Sequence, residues 1–234
     1  TTVGAMGLLN LHTHHPTRAP GFVEIESVYL GQIQVPAADW YSVGLHPWYL
    51  QNIDWAAAAD WLRREAARPA VRAVGEAGLD KVTTPPWAHQ LAAFRLCVEA
   101  SEQTGKPLII HCVRAYNEIL AEKKRARPRQ PWIFHGFAKA EKTAAQLLHE
   151  GCYLSFGAAI LTKGHPAQMA LKHCPADRFF LETDDLAISI RDIYHQAAVL
   201  LNLPEQAVKQ QVWSNFQQVF AVDSAIFAAK TVRP

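Results

Sequence analysis

Two histidines one residue apart, His12 and His14, close the first apolar run of the chain, Gly7-Leu8-Leu9-Asn10-Leu11. On a β-strand, residues two apart share a face, so both imidazoles can meet one cation from a single backbone segment. Alone, such a pair fits a solvated strand end equally well. The census of the other histidines adds to it. Of 11 histidines, five (His12, His14, His46, His111 and His135) stand at or just past the C-terminal end of strand-like runs: LLNLHTH, YSVGLHP, PLIIHC and PWIFHGF. Two further runs end in acids, VRAVGE at Glu76 and FFLETD at Glu182 and Asp184. His12, His14, Glu76, His111, His135 and Asp184 together offer more ligands than one tetrahedral ion takes. They suit two divalent ions about 3.5 to 4 Å apart that share a carboxylate. Such a pair supplies hydroxide near neutral pH and offsets charge on the attacked oxygen, so the chemistry it points to is hydrolysis. Glu76 and Asp184 are the catalytic candidates, Glu76 as the bridge and Asp184 as ligand and general base.

Four residues are read as contacts to substrate or to these ligands. His46 precedes Pro47 and serves either that role or the turn itself. Glu182 suits a buried acceptor that orients a neighbour better than a metal ligand. Asp80 caps a loop or meets substrate. Arg114 follows His111 closely and joins Arg18, Lys81, Lys139, Lys163 and Arg191 as cations that follow strand ends and could meet a phosphate. The run Lys123-Lys124-Arg125-Ala126-Arg127-Pro128-Arg129 lies between a helix and the next strand. It is therefore placed on the opposite face, as a solvated helix end.

The ligands converge only if their strands are parallel neighbours. Helical patterns separate the runs. Asp54 caps a helix through Ala67. Residues 87–104 place Trp87, Leu91, Phe94 and Val98 on one face and stop at Gly105. Further helices are expected from about Ala115, from Lys139 to Gly151, over 165–173, and over 187–220 with a break at Asn202-Leu203-Pro204. The strand ends at 46, 76, 111, 135, 157 and 184 lie 22 to 35 residues apart, about the size of a βαβ unit. A strand is also read over 22–31. The stretch from His14 to Val43 is too short for two helices, so this corner must be abbreviated. With seven or eight strands contributing to one centre, the fold class is α/β, a TIM-like (β/α) barrel of parallel strands shortened around its first two βα units. Only a closed barrel brings the first strand's histidines to the last strand's Asp184.

The 234 residues, half of them hydrophobic, are enough for a large core, and no linker composition divides them; one domain over 6–234 is expected. Thr1 to Ala5 are set aside as a remnant ahead of a start at Met6. A net charge of +2 neither demands nor excludes a polyanionic partner. Cys97, Cys112, Cys152 and Cys174 show no CxxC pairing, which suits reduced thiols in a cytoplasmic enzyme. The absence of an apolar run of about 18 residues argues against membrane insertion. No obligate protein partner is evident.

The chain resembles the TatD family of metal-dependent deoxyribonucleases, among the amidohydrolase-like barrels. The resemblance runs from His12 to about Phe220. It is carried by His12-Thr13-His14, Gly44-Leu45-His46-Pro47, Val74-Gly75-Glu76-Ala77-Gly78-Leu79-Asp80, Gln90, Phe94, Pro107 to His111, His135-Gly136-Phe137, Leu181 to Asp184, Asn215 and Phe220. It implies the same six metal ligands and divalent-metal-dependent cleavage of phosphodiesters, typically from the ends of DNA. The chain departs from the family pattern in several places. Asn10 stands for the usual Asp and Trp48 for a frequent His. Arg114 is displaced by one position. Gly136, Ala138 and Lys139 replace Cys, Ser and Gly, and the segment after Asp184 runs quickly into helix. The substrate is thus DNA or a small phosphoester. The alternatives are an amidohydrolase-like enzyme on a small amide, ester or phosphate, and a catalytically silent metal-binding scaffold. Imidazole-rich ligation suits Zn, Mn, Fe or Ni over Mg, whereas the resemblance admits Mg.

Overall fold

The computed structural model describes residues 7–32 and 34–220. The ends of the expected domain, Met6 and residues 221–234, and the five residues set aside as a remnant lie outside these. Eight strands form one sheet: β1 (Leu8–Thr13), β2 (Phe22–Tyr29), β3 (Trp40–Gly44), β4 (Val71–Asp80), β5 (Leu108–Val113), β6 (Trp132–Phe134), β7 (Tyr153–Phe156) and β8 (Phe179–Leu181). All are parallel and paired in sequence order. From β3 onward helices fill the connections: α1 (Trp55–Ala66), α2 (Trp87–Thr104), α3 (Tyr116–Ala126), α4 (Glu141–His149) and α5 (Pro166–Lys172). After β8 come α6 (Ile190–Leu201) and α7 (Glu205–Phe220). The architecture is a TIM-like barrel.

The ring closes at the site. β8 is only three residues long, and its seam with β1 is made just beyond it, by a parallel bridge between Thr13 and Asp184. The His14 amide donates to the Asp184 carbonyl and the Asp184 amide to the His12 carbonyl, each at 3.0 Å. Below this the buried Asn10 side chain takes over. Its amide nitrogen donates to Thr183 Oγ1 at 2.8 Å, and its oxygen accepts the Thr183 amide at 3.1 Å. A β1 carbonyl and the one just before the strand are met by helices instead: Tyr194 Oη donates to Leu9 at 2.9 Å and Trp213 Nε1 to Gly7 at 2.7 Å. Buried backbone groups must be paired somewhere, and side chains supply what a short β8 cannot.

No helix follows β1 or β2 among the described residues, as the short spacing requires. Carboxylates do the work of the missing helices. Ser27 points into the barrel, so Glu24 and Glu26, on the alternate face of β2, point out. Glu24 accepts the amides of Thr17 and Arg18, both at 2.9 Å, and Glu26 accepts those of Ala37 and Ala38 at 2.5 and 2.9 Å. Each pins a loop across the outside of the strand. At the N-terminal end of the barrel, α7 forms a plug: Phe216 stacks on Trp40 and on Phe220, and Asn215 Nδ2 donates to the carbonyls of Ala176 and Phe179 at 2.9 Å.

Several boundaries differ from expectation. β4 runs four residues past Glu76, and β5 two past His111. Glycine permits this extension: a Cβ on Gly78 would lie 2.0 Å from the His111 carbonyl oxygen, and one on Gly75 (φ 133°) 2.3 Å from that of Ile109. β2 stops at Tyr29 rather than residue 31, and α4 starts at Glu141 rather than Lys139. Asp54 caps α1 by accepting the Ala57 amide at 3.0 Å, and Gly105 ends α2 with φ 66°. The basic run closes α3 and turns into β6, at the end of the barrel away from the ligands. There Lys124 pairs with Glu150 at 3.3 Å, Arg125 with Glu122 at 2.7 Å and Arg129 with Glu102 at 3.3 Å. All four cysteines are unpaired. No helix among the described residues is long and apolar enough to cross a membrane.

Candidate metal centre

Glu76 sits at the middle of the C-terminal face of the barrel, 2 % exposed, with its two oxygens turned to different imidazoles. Oε1 lies 3.5 Å from His12 Nε2 and 3.1 Å from His14 Nε2. Oε2 lies 2.8 Å from His135 Nε2, 3.4 Å from His111 Nδ1 and 3.4 Å from His46 Nε2. Asp184 Oδ1 joins the first group, 3.4 Å from His12 Nε2 and 3.6 Å from His14 Nε2. The six residues expected from sequence are thus brought together, in two sets that share one carboxylate. Among the described residues, three triads have candidate ligand atoms all within 4.8 Å of one another: His12, His135, Asp184; His12, His14, Glu76; and His46, Glu76, His111.

His12 tests whether a cation fits. The residue is wholly buried, and neither of its ring nitrogens has a hydrogen-bond partner. A buried polar atom without a hydrogen-bond partner is costly unless something else satisfies it, and a divalent ion between His12 Nε2 and the two carboxylates would satisfy Nε2. Imidazole nitrogen and carboxylate oxygen are the donor types that hold divalent transition metals.

The surrounding contacts separate the side chains that face the centre from those that stand behind them. Asp80 Oδ2 faces His111 Nε2 at 3.2 Å, leaving Nδ1 for the centre. Asp80 is itself held by Trp48 Nε1 at 2.8 Å and, through its backbone, by Gln90, whose Oε1 accepts the Asp80 amide at 2.8 Å. Glu182 Oε1 lies 3.4 Å from His135 Nδ1 and accepts the Gly136 amide at 2.5 Å. A carboxylate behind a ligating imidazole fixes its tautomer and raises its basicity. His46 differs from the other histidines of the cluster. Its Nδ1 accepts the Trp48 amide at 3.2 Å, so the neutral ring carries its proton on Nε2, facing Glu76. That makes it a donor to the carboxylate. Arg114 is exposed, with φ 54°, and touches none of the cluster in any contact among the described residues. Lys81 pairs with Glu118. Arg191 lies over Phe22, at the N-terminal end of β2 and away from the site, because α6 packs along the flank of the barrel.

Three contributors escaped the sequence reading. Ser27 Oγ donates to Glu76 Oε1 at 3.2 Å; an inward serine on an alternating strand was the available signal. The indole of Trp48 reaching Asp80 and the amide of Asn10 holding the seam have no local signature.

Burial alone would lower the His12 pKa, and His135 lowers it further. The Glu76 and Asp184 carboxylates overcome both and hold it at about 9. His135, equally buried, is raised well above its ordinary value by Glu76 and Glu182. In the opposite direction and against burial, the imidazoles hold Glu76 well below its usual range and Asp184 at about 2. Metal binding needs neutral imidazoles, so a divalent ion must displace these protons and its affinity should fall with pH below about 9. Stability of the metal-free protein follows the reverse course. The His12 contribution is complete below about 6.5 and fades as pH rises through about 9. That of Asp184 is complete above about 3.8 and fades as pH falls through about 2. Chelated protein should therefore melt at a lower temperature at pH 9 than at pH 6, whereas metal-supplied protein should show its largest metal-induced rise in Tm at the higher pH.

Comparison with known proteins agrees with this geometry. The sequence model of the family described as TatD related DNase matches residues 32–221, most of the chain. The chain belongs to the TatD family. The matched region begins after His12 and His14, and the closure of the barrel returns that pair to Glu76, His111, His135 and Asp184, which lie within it. A 3'-5' ssDNA/RNA exonuclease TatD from Edwardsiella piscicida is 31 % identical over 218 residues, covering 83 % of this chain and 82 % of that protein. An uncharacterized metal-dependent hydrolase, YcfH, from Escherichia coli (strain K12) is 30 % identical over 202 residues, covering 79 % and 75 %. Among solved structures, YjjV, a TatD homolog from Escherichia coli K12, superposes with a TM-score of 0.78 at 19 % identity, covering 95 % of this chain and 100 % of its own. This TatD chain is a metal-dependent hydrolase.

Proposed function

We propose that the chain is a phosphodiesterase that shortens DNA, with two divalent ions held at the C-terminal face of the barrel. His12, His14 and Asp184 would hold one ion, His111 and His135 the other, and Glu76 would join them. The observation that carries this reading is the division of Glu76, one oxygen to each group of imidazoles. When bound, such ions supply positive charge to a phosphoryl oxygen and lower the pKa of water toward neutrality. Asp184 is the one carboxylate of the site that opens to solvent, its side chain 39 % exposed against 2 % for Glu76 and 0 % for Glu182. It therefore takes the proton of the attacking water, while Glu76, buried beneath it, stays ionised. Asp80 and Glu182 hold the His111 and His135 rings in place. His46 donates to Glu76 and limits its movement.

The substrate class rests on the family and on the exonuclease relative, whose name states single-stranded DNA and RNA. The four unpaired cysteines suit a reducing compartment such as the cytoplasm. The test is end-labelled single-stranded DNA incubated with metal-stripped protein and Mg, Mn or Zn. Stepwise shortening that a metal restores and a chelator abolishes is the expected result. Intact DNA with all three metals, in protein that takes up two ions, would transfer the site to a smaller amide, ester or phosphate.

A further inference from the structure

The lip of the barrel beside the His46 and His111 imidazoles carries aromatic surface that the fold does not use. Trp48 is 52 % exposed and Tyr49 50 % exposed, although both sit on the turn Pro47–Tyr49 directly after β3. Burying an indole is worth more than burying almost any other side chain, so a half-exposed Trp at the mouth of a charged site is the unusual feature. Trp48 is also fixed in place. Its Nε1 donates to the buried Asp80 carboxylate at 2.8 Å, and its ring meets His46 edge-on with centroids 5.0 Å apart and His111 at 5.8 Å. Tyr49 is braced by stacking on Tyr29, centroids 4.3 Å apart and planes within 16°. Neither ring has to lose freedom when a flat ligand arrives. Both edge contacts are made by the Trp48 ring to imidazoles of the centre, so a group resting on the indole is beside the reacting atoms.

We propose that Trp48 is a stacking platform for a nucleobase of the substrate, next to the phosphodiester presented to the centre, with Tyr49 extending the same lip. The inference rests on the nuclease reading above and narrows it to a substrate that carries bases. Base-on-aromatic stacking tolerates any sequence because every base has a flat face, which suits an enzyme that removes nucleotides in succession. Because Asp80 fixes both the indole and the His111 ring, contact at the platform is also tied to the orientation of that imidazole.

The test compares a short single-stranded oligothymidylate with an analogue of equal length in which every nucleotide is abasic, for wild type, Trp48→Ala and Trp48→Phe. Loss of one stacked base corresponds to a KM increase on the order of tenfold or more. Trp48→Ala is expected to show that increase on the oligothymidylate and little of it on the abasic analogue. Trp48→Phe, which keeps a ring and loses the bond to Asp80, is expected to recover most of it. Equal losses on both substrates, or a Phe variant as poor as Ala, would overturn the platform and leave Trp48 as a brace for Asp80. Should the wild type cut neither substrate, the nuclease reading fails by itself. The platform is then tested by titrating metal-free protein with thymidine 5′-monophosphate and with deoxyribose 5-phosphate while following tryptophan fluorescence. Quenching by the nucleotide alone, absent in Trp48→Phe, would retain it; identical responses to both would end it.

Discussion

Asp184→Asn should lower kcat by about a thousandfold while leaving the fold and most of the bound metal in place. The magnitude is that of losing a positioned proton acceptor, about 10²- to 10⁴-fold. The substitution is unusually clean at this position. Asp184 has φ 55°, a left-handed conformation that Asn adopts more readily than any other residue except Gly. Its backbone closes the barrel through the bonds to His12 and His14, and neither involves the side chain. An Asn oxygen can still approach a cation between His12 and His14, but it cannot take a proton. Single-turnover cleavage together with the metal content of the purified variant decides the matter. A collapse in rate with metal retained supports the proton role. Rate and metal content falling together would show that Asp184 acts chiefly as a ligand.

The barrel and its six convergent residues were legible in the sequence because they depend on local pattern. Histidines and acids at the ends of apolar runs, separated by helical periodicity, can be read without knowing any long-range contact. What escaped was made by partners far apart in the chain. Asn10 reads as one polar residue within an apolar strand, yet it supplies the seam to Thr183 that β8, three residues long, is too short to make. Glu24 and Glu26 read as the polar half of an alternating strand and therefore as solvated. They are buried because loops, in place of helices, lie over β2 and need acceptors for their amides. The extension of β4 beyond Glu76 was hidden for a related reason. Gly78, which allows it, looks like a loop signal until the close approach of β5 is known.

The supporting carboxylates follow one rule that the sequence could not reveal. His111 and His135 each have an acid on the side facing away from Glu76, Asp80 and Glu182 respectively, while His12 and His14 share Asp184 on the side facing the centre. The first two imidazoles are thus oriented from behind, and the other two are oriented by the backbone of β1 and its seam to β8. The arrangement places the solvent-open carboxylate with the set held by the seam.

Glu76→Gln should remove more than any other single change, because the lost charge serves both groups of ligands. The amide is the same size, and Ser27 can still donate to its oxygen. Its NH₂, however, must face imidazole nitrogens on one side or the other, where it offers donors in place of an acceptor. Metal per chain is expected to fall to one ion or fewer, and hydrolysis by at least about a thousandfold, since on the proposed reading this carboxylate would join two ions and a neutral group cannot replace it. A second signature appears without any metal. Glu76 is among the groups that raise the pKa of His12 and His135, so in the variant both should titrate lower. Protonating them then means charging buried rings with one carboxylate fewer beside them, Asp184 facing His12 and Glu182 facing His135, and that costs stability. The metal-free variant should accordingly be destabilised most at about pH 6, where the parent keeps these rings charged, and less at about pH 9, where the parent's own His12 is losing its proton. Denaturant unfolding of chelated parent and variant at the two pH values measures the difference. A stability loss of the same size at both would mean that Glu76 supports the fold by packing and not by its charge.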